Sequence, residues 1–198
     1  MERDKEDGMH EVIWHGRGGQ GVVVAAQILA ESAYFQGFKG VTSVPTFGPE
    51  RRGAPLTAST RISDEPIRTF SQIEQADVAV VLDVSLMNTI NILGSLKKGG
   101  WIIINTPAAA DQMDINGCHN VATVDAAGIA LRYHLVKEGA PIINTPLLGA
   151  FSRASGLVSL EFIEKGLRHK LSGGVAETNI LALRTAFEET TMRKIGGK

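Results

Sequence analysis

Apolar and polar positions alternate along the chain between short hydrophobic runs and longer helical patterns. Val12-Ile13-Trp14 is a brief apolar run that leads into Gly16-Arg17-Gly18-Gly19-Gln20-Gly21. Behind that loop Val22, Ala25, Ala26, Leu29 and Ala33 recur on one helical face, while Gln27 and Glu31 face away. This order predicts a strand, a glycine loop and a helix over about 20–36 with Gly37 as its stop. A short strand is expected over 41–44, closed by Pro45. Residues 56–62 alternate, with Leu56, Ala58, Thr60 and Ile62 opposite Thr57, Ser59 and Arg61, which predicts a strand with one wet face, antiparallel or near an edge. Residues 76–82, ADVAVVL, form an apolar run apart from Asp77, as in a buried parallel strand, and Asp83 falls at the C-terminal end.

The pattern then predicts a helix over 85–98, with Lys97 and Lys98 in its last turn and Gly99-Gly100 as the stop. Further strands are expected over 101–104 and 121–124, and Asp125 is placed to cap a helix ending near Gly139. Thr145-Pro146 opens a helix with proline at its first position, Ser159 caps another over 160–171, and a last helix covers 176–193. Strands alternating with helices indicate an α/β fold of three layers, α/β/α and Rossmann-like, with a mainly parallel sheet and one antiparallel or edge strand. Residues 1–8 read as a flexible N-terminal tail and 9–198 as a single domain that includes the C-terminal helices.

Composition narrows the function. A net charge of −1, with no basic stripe, argues against nucleic acid, and no apolar run approaches the roughly 20 residues that cross a bilayer. The charged start MERDKEDGMH is unlike a signal or transit peptide, so a cytoplasmic location is expected. One cysteine, Cys118, excludes an internal disulfide framework and a self-contained iron–sulfur cluster. The five histidines have no metal-ligand spacing, and no nucleophile–base pair emerges, so no catalytic or metal residue is assigned.

The candidate binding chemistry lies in two loops. Four glycines within residues 16–21, between a strand and a helix, suit an anion-binding turn: Gly16 for the tight turn, Gly18 for close backbone approach, Gly21 for helix–strand packing. A dinucleotide site would also place a carboxylate at the end of the second strand; Val44-Pro45-Thr46 has none, and Arg17 adds positive charge instead. An anion or a partner surface is therefore favoured over a dinucleotide, with Gly16, Arg17, Gly18, Gly19, Gln20 and Gly21 as contacts. The second loop, 46–55, presents Arg51-Arg52 between glycines and prolines. It reads either as guanidinium forks for phosphate or carboxylate, or as a surface turn in which Glu50 pairs with an arginine. The stretch 144–150 reads as a helix start, either simply capped or open to an anion.

In order, HGRGGQGVVVAAQILAESA, FGPERRGAP, TRISDEPI and NTPLLGA resemble the gamma-subunit family of the 2-oxoacid:ferredoxin oxidoreductases, across about residues 9–192. The resemblance implies a chain without thiamine or cluster ligands of its own. Alpha- and beta-type subunits would carry thiamine diphosphate with Mg2+, and cysteine-rich modules, including a delta-type subunit, the [4Fe–4S] clusters. The 2-oxoacid is decarboxylated on thiamine, electrons leave singly to ferredoxin, and coenzyme A takes the acyl group. Gly16 to Gly21 with Arg51 and Arg52 then become candidate contacts to coenzyme A phosphates or to partner subunits. The ERRGAP form resembles the pyruvate and 2-oxoisovalerate members more than those acting on 2-oxoglutarate. Pyruvate is favoured and 2-oxoisovalerate follows; a free-standing nucleotide-binding protein is the alternative of another class.

Overall fold

The computed structural model describes residues 8–46, 53–69, 71–115 and 118–196. Its strands are β1 (Met9–Arg17), β2 (Gly40–Thr46), β3 (Pro55–Ser63), β4 (Ala76–Val81), β5 (Leu96–Asn105), β6 (Asn120–Val124), a hairpin β7 (Val136–Lys137) with β8 (Ala140–Pro141), and β9 (Thr191–Arg193). The helices are α1 (Val22–Gln36), α2 (Ala126–Arg132), α3 (Asn144–Ser155), α4 (Leu160–Lys170) and α5 (Gly173–Glu189). Seven strands form one sheet in the order β2-β3-β1-β4-β5-β6-β9. β1, β4, β5 and β6 pair in parallel, β3 runs antiparallel between β2 and β1, and β9 is antiparallel to β6. The sheet is therefore mostly parallel, with two strands reversed where the sequence suggested one.

The two faces are covered differently. Val12, Trp14, Val78, Val80, Ile103 and Ala122 meet apolar side chains of all five helices. The opposite face, with Ala79, Val81, Ile102, Ile104 and Val121, is covered by Leu86, Ile92, Ala110 and Ile115 from short 3-10 turns and their flanks. The third layer is thus thin. On the helical face α3 is buried along nearly its whole length. Its Gly149 lets α5 approach so closely that a Cβ there would lie 2.2 Å from the Leu183 carbonyl oxygen.

Five expectations are corrected. Residues 85–98 form no α-helix: two 3-10 turns, Val84–Asn88 and Leu93–Ser95, give way to β5. Asn91 is the local reason, because its side-chain oxygen accepts from the Gly94 N–H and replaces helical bonding with a turn. Lys97 to Gly100 then bulge out of β5, since Leu96 pairs with Ala76 and Trp101 with Val78. The helix capped by Asp125, which accepts from the Gly128 N–H, stops at Arg132 instead of near Gly139. The β7–β8 hairpin follows, turning at Glu138 and Gly139, both at positive φ. The last helix ends at Glu189, where Thr190 bonds back to the Ala186 carbonyl, and Thr191–Arg193 joins the sheet edge. Pro146 is the third residue of α3 rather than the first. Pro45 lies inside β2 rather than closing it, tolerated because β2 is an edge strand.

Candidate functional site

The order of strands reverses between β1 and β4: the chain leaves β1 toward β3 and β2, and returns at β4 to build toward β9. Ligands of open α/β sheets bind outside strand C-termini at such a switch. Here that position is occupied by the turn between β1 and α1.

Gly16, the penultimate residue of β1, has no room for a side chain: a Cβ would stand 2.5 Å from Val22 Cγ2 and 3.1 Å from Leu82 Cβ. It is therefore Gly16, and not Gly21, that lets the first helical turn rest on the strands. Gly21 is the N-cap of α1 at φ +80°, and its Cβ would lie 2.9 Å from the side-chain amide of Asn144, the first residue of α3. The starts of α1 and α3 thus converge. Gln20 closes the turn, its Oε1 accepting the Arg17 N–H at 2.7 Å while its own N–H donates to the Arg17 carbonyl. No side chain caps α1 among the described residues, so its first-turn N–H groups, which have no intrahelical acceptor, point positive partial charge outward.

The two candidate loops meet. The Gly18 N–H donates to the Ala54 carbonyl at 3.0 Å, and the Gly53 N–H donates to the Gly18 carbonyl at 3.3 Å. The close backbone approach expected of Gly18 is therefore made to the chain's own second loop. Arg51 and Arg52 lie outside the described residues.

Arg17 is turned inward. Its Nε donates to Asp83 Oδ2 at 2.7 Å, one terminal nitrogen donates to the Gly53 carbonyl at 3.1 Å, and the other to Ser85 Oγ at 2.9 Å. Burial alone would raise the Asp83 pKa, but hydrogen bonds from Ser85 and Arg17 outweigh it and hold the carboxyl below its ordinary value. Asp83 was legible as a strand-end residue; its tie to Arg17, 66 positions away, was not.

Three further polar residues stand here. His15 is 4% exposed, and among the described residues its ring makes no hydrogen bond. Burial pushes its pKa down to about 4. Asn105 at the end of β5 donates to the Leu82 carbonyl and accepts from the Ala127 N–H, joining β4 to α2. Asn144, the first residue of the stretch read as a helix start, is buried with no partner for its side-chain oxygen among the described residues. In the stretch 144–150, Thr145 donates to Asn179 of α5 rather than capping α3, whose start is covered.

Among the described residues, no three His, Cys, Asp or Glu side chains are grouped to hold a metal, and no helix is long and apolar enough to cross a membrane. A cavity of about 320 Å³ opens at the other edge of the sheet, lined by His10, Asp77, Lys97, Lys98 and Trp101 among others. It lies at the N-terminal ends of β4 and β5, away from the switch point.

Residues 11–189 match the pyruvate ferredoxin/flavodoxin oxidoreductase family. The chain belongs to that family. A Thermococcus litoralis chain named pyruvate/ketoisovalerate oxidoreductases common subunit gamma is 45% identical over 190 residues, covering 94% of this chain and all of that one. The pyruvate synthase subunit PorC of Methanocaldococcus jannaschii is 42% identical over 188 residues, covering 95% of this chain and all of its own. The crystal structure of the pyruvate oxidoreductase subunit PORC from Thermotoga maritima superposes with a TM-score of 0.79 at 35% identity, over 95% of this chain and all of that one. The family member described here is thus a gamma subunit of a 2-oxoacid:ferredoxin oxidoreductase, matching such subunits from end to end.

Proposed function

We propose that this gamma subunit serves an enzyme that converts pyruvate, coenzyme A and oxidised ferredoxin to acetyl-coenzyme A, CO2 and reduced ferredoxin, and that its switch-point loops help coenzyme A reach the thiamine site. Alpha-, beta- and delta-type subunits carry thiamine diphosphate, Mg2+ and the [4Fe–4S] clusters in this reading. The present chain contributes structure and a polar docking edge. The relatives' names support pyruvate, and the Thermococcus name adds 2-oxoisovalerate as a second substrate of enzymes sharing one gamma chain.

The coenzyme A role rests on one observation, the direct pairing of Gly18 with Gly53 and Ala54 beside the uncapped start of α1. Coenzyme A is a polyanion. A helix N-terminus offers backbone N–H groups to such a ligand, and arginine forks match phosphate geometry. Arg52 directly precedes Gly53 in the sequence, and Arg51 and Arg52 join Gly16, Arg17, Gly18, Gly19, Gln20 and Gly21 as candidate contacts to coenzyme A or to partner subunits.

Native affinity purification followed by 2-oxoacid- and coenzyme A-dependent reduction of a viologen dye tests the substrate. A brown complex active with pyruvate supports it; preference for 2-oxoisovalerate or 2-oxoglutarate rejects it. In the same complex, replacing Arg51 and Arg52 by alanine is expected to raise KM for coenzyme A about tenfold or more, the loss of one or two charge-assisted bonds. An unchanged KM with intact assembly would reject the ligand role.

A further inference from the structure

Arg17 sits in a turn suited to an anion or a partner surface, yet each of its three guanidinium nitrogens donates inside the chain. Its anchor is itself braced. Asp83 Oδ1 accepts from the Ser85 N–H at 3.0 Å and from the Ser85 hydroxyl at 2.6 Å, leaving Oδ2 for Arg17. Ser85 Oγ in turn accepts from Arg17, so the three side chains close a ring of hydrogen bonds. What the ring holds is Gly53. Its carbonyl accepts from Arg17, its N–H donates to Gly18, and the following residue, Ala54, accepts from the Gly18 N–H. Gly53 sits at φ +84°, so this segment has a backbone that few other residues adopt.

We propose that Arg17 is a positioning residue and not a phosphate ligand: through Asp83 and Ser85 it pins Gly53 against the glycine turn at the switch point. The functional part rests on the coenzyme A reading above; the pin itself does not. Arginine is required because its planar fork reaches a carboxylate, a hydroxyl and a carbonyl at once, whereas a lysine ammonium on a flexible stem cannot span all three. The guanidinium, 31% exposed, is thereby committed to Asp83, Ser85 and Gly53.

Two measurements test this. In the full-length chain, hydrogen exchange at the Gly18 and Gly53 amides, which donate to Ala54 and Gly18, reports how often the pairing opens. Arg17→Gln and Asp83→Asn should each speed that exchange about fivefold or more, the effect of losing one charge-assisted bond. Equal rates in both variants and the parent chain would overturn the pin. In the assembled enzyme the same variants should raise KM for coenzyme A several-fold while KM for the 2-oxoacid stays put. Arg17→Lys should fall between the parent and Arg17→Gln, and the double variant should be no worse than either single one, because both remove the same contact. Additive losses, or equal rises in both KM values, would overturn the positioning role. Should Arg51→Ala and Arg52→Ala leave KM for coenzyme A untouched, the coenzyme A reading fails, while the exchange result still decides the pin.

Discussion

At the scale of single residues, His15 carries a cost that shows itself only when the solution turns acidic. The ring is 4% exposed, neither nitrogen has a partner among the described residues, and burial lowers its pKa to about 4. The native state therefore prefers the neutral ring, while the unfolded chain takes up a proton near the ordinary value of about 6.5. Stability from this site is complete at neutral pH and is lost as pH falls from about 6.5 toward 4. Linkage puts the loss between pH 7 and pH 5 at about 2 kcal/mol. Urea unfolding of the full chain at both pH values measures it, and His15→Leu should flatten the slope by that amount. Parallel slopes for parent and variant would mean that the ring is already protonated or solvated in the native protein. Arg17 teaches the complementary lesson about legibility. Its charge and its place in a glycine turn were readable, and they suggested a ligand contact. Its partner was not readable, because Asp83 and Ser85 lie more than 60 positions away and only the pairing of β1 with β4 brings them near.

At the scale of elements, α3 is the helix on which the others settle, and its small residue at the crossing with α5 sets the spacing. A methyl group on Gly149 would meet backbone, the Leu183 carbonyl at 2.2 Å, and backbone cannot rotate out of the way. Gly149→Ala should therefore cost about 3 kcal/mol despite the better helix propensity of alanine, by forcing the two helices apart. Thermal unfolding would register this as a clear fall in Tm; a rise would show that the crossing has slack. The same scale explains which elements the sequence revealed. Strands β1, β3, β4, β5 and β6 announced themselves by alternation or by apolar runs, α1 by one apolar face, and α4 by Ser159 at its start. The segment 85–98 misled because Leu86, Ile90, Leu93 and Lys97 recur at helical intervals. One α-type bond, from the Ile90 N–H to the Leu86 carbonyl, does form before Asn91 turns the chain. β9 was hidden for a different reason. Three residues at a helix end carry little periodicity, and what makes them a strand is a partner far away, with the Thr191 hydroxyl 2.7 Å from that of Thr123.

At the scale of the whole molecule, the sheet has two edges with different work. At the strand C-termini lie the glycine turn, Gly53 and the Arg17 ring. At the N-termini, Glu11 accepts from Arg61 at 3.0 Å and lies 3.6 Å from Lys97, which also bonds both Asp77 oxygens at 3.0 Å. That network stitches β1, β3, β4 and β5 together, and Arg61 is 4% exposed. A buried cation that loses its partner is left uncompensated, so Glu11→Ala should destabilise the chain by about 3 kcal/mol. Glu11 and Arg17 are six residues apart on one strand, roughly 20 Å at the usual rise, so damage at one end should not reach the other in a folded chain. The expected result is a double dissociation. Glu11→Ala lowers the unfolding midpoint strongly and leaves KM for coenzyme A unchanged in whatever complex assembles, whereas Arg17→Gln raises that KM with a smaller loss of stability. Because an exposed ion pair contributes little and Arg17 is partly exposed, its stability cost should stay near 1 kcal/mol. If both variants instead moved stability and KM together, the two edges would form one cooperative unit, and the switch point could not be treated as a site separable from the fold.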